Sequence, residues 1–195
     1  REGDSVFAAD AEGVVMAMNA NSGAVEWEID LDTTISSALT AIAGQVYLAT
    51  GNGEVIALDQ GDGSESWRSR VSSEVLAAPQ ANQQLLVVQS VDGQVTALDR
   101  ATGAERWVYT SSQPSLTLRG TGTPMVIDPV SFVGLANGRL ATLDNRSGQP
   151  LWDMQIATPR GRSEVERLVD LSGQPIISPD GRLFVTSYNG RVVAL

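Results

Sequence analysis

The feature that most constrains this chain is a glycine–glycine–tryptophan spacing written four times. Gly13, Gly53, Gly93 and Gly138 are each followed ten residues later by Gly23, Gly63, Gly103 and Gly148. Four residues beyond those come Trp27, Trp67, Trp107 and Trp152, which are all the tryptophans the chain has. A fifth copy opens at Asn189-Gly190 and stops at Leu195. A period of about 40 residues sets the architecture before any local detail, because each repeat is one small supersecondary unit that must stack on its neighbours to bury its faces.

Between the glycines lie short runs rich in apolar and β-branched residues, the mark of strands joined by tight turns. The second unit predicts strands at 38–43, 45–50, 54–59 and 64–71, with Asn52-Gly53 as a hairpin signal. The third predicts 77–81, 85–90, 94–99 and 105–110, and the fourth 123–127, 131–135, 139–144 and 151–156. The first unit offers three strands at 5–10, 14–19 and 25–30, and the last three at 175–178, 182–188 and 191–195. Helical periodicity is confined to a single turn at 163–169. Four antiparallel strands per repeat predict an all-β chain, a β-propeller of four-stranded blades. The units run about 1–31, 32–72, 73–111, 112–157 and 158–195, the first without its innermost strand and the last without its Trp strand. That is about half of a larger ring, and an open half-ring is expected to continue in a longer chain or to associate with a copy of itself. The tryptophans fall on outer strands, where each ring can bury against the next blade; a ligand-stacking aromatic cage is the other use of such rings.

Breaks in the period point to function, because insertions in repeat proteins map to loops on one face. The tryptophan spacings are 40, 40 and 45, and the last first-glycine spacing stretches to 52. The added length lies in 111–122 and 157–173, both between the last strand of one blade and the first strand of the next. Two adjacent enlarged loops on one side of a disc make a candidate docking surface. Leu116 and Leu118 share a side if their segment is extended, and Arg119 follows with a bidentate donor. The second loop brings Arg160, Arg162 and Arg167 beside Glu164, Glu166 and Asp170. The alternative is that the two leucines are inner-strand core and the loop charges only solvate a long connection.

Composition narrows the chemistry. The chain lacks both cysteine and histidine, which removes thiol chemistry, catalytic triads and the commonest zinc ligands. Asp59, Asp99 and Asp144 recur at equivalent strand ends, with Asn19 in the first unit, so they read as turn caps rather than as a carboxylate pair. A net charge of −10 argues against nucleic acid. The charge is uneven: residues 1–99 hold 15 acids and 3 arginines, residues 100–195 hold 8 acids and 10 arginines. No metal and no cofactor is expected.

Ala97-Leu98-Asp99, Thr102-Gly103 and Trp107 resemble the PQQ-type propeller repeat, which several quinone-dependent dehydrogenases also use. Those enzymes carry an adjacent cysteine pair, and this chain has no cysteine. The irregular segments Ser115–Gly120 and Glu164–Asp170, with 137–141 and 187–190, are similar to the BamB family, propeller lipoproteins of the bacterial outer-membrane β-barrel assembly machinery. The resemblance implies an eight-bladed, non-enzymatic scaffold on the periplasmic face of the outer membrane. It would be anchored by a lipidated cysteine upstream of Arg1 and would bind the POTRA domains of BamA. The family's contact positions fall on Leu116, Leu118 and Arg119, and its acid pair on Asp170 and position 172, which is Ser here. With Arg167 these form the expected partner-binding set. A fragment of a quinone-dependent dehydrogenase, or a ligand-sensing propeller domain, is the rival reading.

Overall fold

The computed structural model describes residues 3–118 and 122–195. The described residues form five antiparallel sheets, each a simple meander. The first sheet holds β1 (Ser5–Ala9), β2 (Val14–Asn19) and β3 (Val25–Asp30). The second holds β4 (Thr40–Ile42), β5 (Gln45–Ala49), β6 (Glu54–Asp59) and β7 (Glu65–Arg70). The third holds β8 (Gln80–Ala81), β9 (Leu85–Gln89), β10 (Gln94–Asp99) and β11 (Glu105–Thr110). The fourth holds β12 (Met125–Ile127), β13 (Val130–Gly134), β14 (Arg139–Asp144) and β15 (Pro150–Gln155), and the fifth β16 (Ile176–Ile177), β17 (Leu183–Thr186) and β18 (Val192–Ala194).

The core lies between the sheets rather than within any of them. Side chains alternate along a strand, so in β5 Val46 and Leu48 join Trp27 of the first sheet, while Tyr47 and Ala49 join Leu86 and Val88 of the third. A strand buried on both faces cannot show the apolar–polar alternation of a half-exposed one. It reads instead as an unbroken apolar run, as Leu85–Val88 does.

Each tryptophan is aimed by a recurring irregularity. The pairing of the third and fourth strands of a blade slips by one residue, so that Trp27, Trp67 and Trp107 stand opposite Ala17, Ala57 and Ala97. The indole then slides under the next blade's glycine turn. Trp27 Nε1 donates to Gln60 O at 2.9 Å, Trp67 Nε1 to Arg100 O at 3.0 Å, and Trp107 Nε1 to Asn145 O at 2.8 Å. A side chain at Gly148 would place its Cβ 2.6 Å from the Trp107 ring, and that glycine also sits at φ +69°. Trp152 has no such turn to enter among the described residues and is 41% exposed. The strand-end acids cap their turns: Asp99 Oδ1 accepts from the N–H groups of Ala101 and Thr102, and Asp144 Oδ1 from those of Arg146 and Ser147.

The innermost strands are shorter than the sequence predicts. In three blades the ladder begins one residue after a proline: Pro79 before β8, Pro124 before β12, Pro175 before β16. Proline has no N–H to give a ladder, so the pairing starts beyond it. The single predicted turn at 163–169 is a 3₁₀ turn, Val165–Arg167. Ser163 and Glu166 cap it reciprocally: Ser163 Oγ accepts from Glu166 N, and Glu166 Oε2 accepts from Ser163 N.

Candidate functional site

The meander sorts its connections onto two faces. The turns at Gly63, Gly103 and Gly148 share one face with the links between first and second strands, as Arg100 N–Gln84 O and Asn145 N–Pro129 O show. The turns at Gly53, Gly93 and Gly138 share the other with the blade-to-blade connections, as Val71 N–Gly53 O and Ile156 N–Gly138 O show. Both long connections, 111–124 after β11 and 156–175 after β15, therefore emerge on the same side.

They also touch. Leu118 N donates to Asp170 Oδ1 at 3.0 Å, tying the first connection to the second. Asn137, in the turn between β13 and β14, reaches the first connection through Nδ2 to Ser112 O at 3.2 Å. The second connection is not a solvated loop throughout. Leu168, Val169 and Leu171 are buried, and Leu171 belongs to the core between the fourth and fifth blades with Leu140, Leu183 and Val185. Its backbone runs close beside β13: Leu171 N donates to Leu135 O, and a Cβ at Gly134 would lie 2.4 Å from Leu171 O. Gly134 thus leaves room for the connection to cross the sheet.

The candidate residues take different places in this arrangement. Leu116 is 42% exposed, Leu118 half-buried and Arg167 exposed. Asp170 is only 3% exposed. One of its oxygens holds Leu118 and the other has no hydrogen-bond partner among the described residues, so burial pushes the carboxyl above the ordinary aspartate range, against the opposing pull of the Leu118 N–H. Its geometry is that of a clamp between the connections. Arg119 lies outside the described residues. Ser172 is exposed on the same connection. Glu166 points inward along its own loop, where the N–H groups of Arg162 and Ser163 hold its carboxyl below the usual glutamate range.

Between the connections lies a cleft of about 200 Å³. Pro114, Leu116, Pro159, Leu168 and Val169 line it with Arg167. Sequence reasoning missed its floor, although the apolar run Leu168-Val169 followed by Leu171, inside an otherwise charged segment, was the available signal. It also missed Val165, 63% exposed on the 3₁₀ turn beside Arg167. No group of three or more acids able to hold a metal ion occurs among the described residues.

These features define the class: a β-propeller of PQQ-type blades that enlarges two neighbouring connections on one face. Comparison with known proteins gives the family. The chain belongs to the family of outer membrane protein assembly factor BamB, which matches residues 11–195. It is 57% identical to outer membrane protein assembly factor BamB of Pseudomonas aeruginosa over 194 residues, covering all of this chain and 51% of that one. The crystal structure of BamB from Moraxella catarrhalis superposes with a TM-score of 0.92 at 26% identity, over 99% of this chain and 58% of that one. The chain thus spans about half the length of the relatives it matches. Quinohemoprotein alcohol dehydrogenase from Comamonas testosteroni shares the fold alone, with a TM-score of 0.75 at 16% identity over 98% of this chain and 40% of that one. The relative from Pseudomonas aeruginosa and those from Kangiella koreensis and Legionella pneumophila are named as assembly factors.

Proposed function

We propose that this chain is the docking half of a non-enzymatic scaffold in the outer-membrane β-barrel assembly machinery, on the periplasmic face of the outer membrane. Its two long connections hold the POTRA domains of BamA while outer-membrane proteins fold and insert. The observation that carries this reading is the junction itself. Two irregular segments, 52 positions apart at their point of contact, are locked together by Leu118 N and Asp170 Oδ1 and present an apolar cleft on one face. Apolar anchors in a pocket with charge at the rim are the arrangement that gives a protein interface its hot spots. Leu116 and Leu118 supply the apolar anchors and Arg119 and Arg167 the charge, with Asp170 holding the two connections in register. The lipid anchor belongs to the same reading, as a feature of the full-length protein.

The test is co-purification with BamA. Arg119→Glu, alone and with Leu116→Asp, is expected to abolish capture while the β-sheet circular dichroism stays as in the wild type. Undiminished capture by the doubly substituted protein would contradict the assignment.

A further inference from the structure

The cleft between the two connections is too small for an ordinary ligand and the wrong chemistry for a metal. At about 200 Å³ it lies below the ~300–1,000 Å³ of small-molecule sites; two prolines and the aliphatic Leu116, Leu168 and Val169 make its apolar wall, and Ser112, Gln113, Asn137 and Arg167 supply the polar part of the lining. Space of that size and lining suits one branched aliphatic side chain entering from outside.

The rim has a sign. Arg167 Nε donates to Gly161 O at 3.2 Å, which turns the guanidinium against its own loop and leaves its terminal N–H groups without a protein acceptor among the described residues. Arg160 and Arg162 are exposed on the same connection. Glu166, the nearest acid in sequence, is spent on the N–H groups of Arg162 and Ser163. Arg167 is the charged side chain in the cleft lining, with Arg160, Arg162 and the exposed Glu164 elsewhere on the same connection, so the cleft carries a positive edge on a chain whose net charge is −10. A fixed guanidinium with free parallel donors is built for a carboxylate.

We infer that this cleft is a socket for one aliphatic side chain of an acidic partner segment, whose neighbouring carboxylate is held by Arg167. This rests on the reading that the face docks a protein, and it names the chemistry of the segment that docks. The aliphatic side chain supplies burial against Leu116, Leu168 and Val169. The carboxylate supplies register, and the negative excess of residues 1–99 discriminates against acidic segments on that half of the chain.

The test uses the full-length protein and fluorescent peptides of about nine residues. One carries a central Leu flanked by Glu, a second the same flanks around Ala, a third a central Leu flanked by Lys. The Glu-flanked Leu peptide is expected to bind. Replacing Leu by Ala should weaken it at least tenfold, and replacing Glu by Lys about fivefold, the size of an exposed ion pair. Arg167→Glu should invert the flank preference and leave the preference for Leu over Ala intact, which no loss of folding would do. Equal binding of Glu- and Lys-flanked peptides, an unchanged ranking in Arg167→Glu, or no binding at millimolar peptide would each overturn the socket. A parallel capture with BamA POTRA domains separates the two claims. Capture that ignores both Arg167→Glu and excess peptide leaves the scaffold reading and overturns the socket. Ranked peptide binding without POTRA capture leaves the socket and overturns the scaffold reading.

Discussion

Substituting Gly148 by Ala, with Gly23→Ala as its control, measures what seating a tryptophan under the next blade contributes. The two glycines have nearly the same backbone, φ +69° and +71°, but a Cβ at Gly23 meets nothing within 4 Å, whereas one at Gly148 falls 2.6–2.8 Å from three atoms of the Trp107 ring. Both variants carry the same left-handed strain of about 1–2 kcal/mol, partly offset by about 0.4–1 kcal/mol from a stiffer unfolded chain. Gly23→Ala should therefore cost about 0–1.6 kcal/mol. Gly148→Ala must also push the indole out. That breaks the bond from Trp107 Nε1 to Asn145 O, about 1 kcal/mol, and returns part of a ring whose full burial is about 1.5–3 kcal/mol to water. The difference between the variants should be about 2–3 kcal/mol, read as a shift in urea midpoint followed by circular dichroism. Equal losses would mean that the glycine is conserved within the repeat for its backbone alone and that the indole seat contributes nothing.

Three further expectations follow from the same geometry. In the 195-residue chain, Trp107→Ala should cost about 3–5 kcal/mol, whereas Trp152→Phe, at a ring already 41% exposed, should cost little and move the fluorescence maximum to the blue; equal destabilisation would refute the difference in seating. Asp170→Asn keeps an acceptor for Leu118 N and removes the ionisation. Because burial raises the folded-state value of Asp170, the stability it adds is present below the unfolded value of about 3.9 and is lost as pH rises through the folded one. The Asn variant should thus be at least as stable as wild type at pH 7, and a clear loss there would show that the charge itself is engaged. Asp99 has the opposite sign: its contact with Arg106 and its bonds to Thr102 lower its value, so its contribution is present above the unfolded value and disappears as pH falls through the folded one. Asp99→Ala should flatten the acid side of the pH–stability curve, and an unchanged curve would contradict this.

The repeat was legible because every blade solves the same packing problem with the same residues. Trp67 and Gly103 must meet across a blade boundary, and so must Trp107 and Gly148, so the sequence spells the contact at a fixed spacing. Strand ends at Asp99 and Asp144 were legible for a similar reason, since the cap bonds are local. The inner strands were read too long because a run such as 77–81 contains Pro79, and the missing N–H outweighs the apolar pattern. The position of the two long connections followed from meander topology, but their joining did not. The bond between Leu118 and Asp170 spans 52 residues, and the connections after β3 and β7 are joined through a different pair, Ser36 Oγ to Val75 O, so no shared residue pattern marks it. Asp170 looked like a surface charge among arginines, and only the crossing of Leu171 over Gly134 shows why it is buried. The cleft is a property of two backbones that meet in space, and a linear pattern holds no direct trace of it.

The most direct test of the account is site-specific photocross-linking in cells, with a photoreactive residue placed in the full-length protein at one position at a time. Leu116 lines the cleft, Val165 is exposed on the 3₁₀ turn of the second connection, and Arg146 is exposed on the opposite face. The account predicts adducts with BamA from Leu116 and Val165 and none from Arg146. Adducts from Arg146 with silence at both Leu116 and Val165 would place the partner on the other face and contradict it.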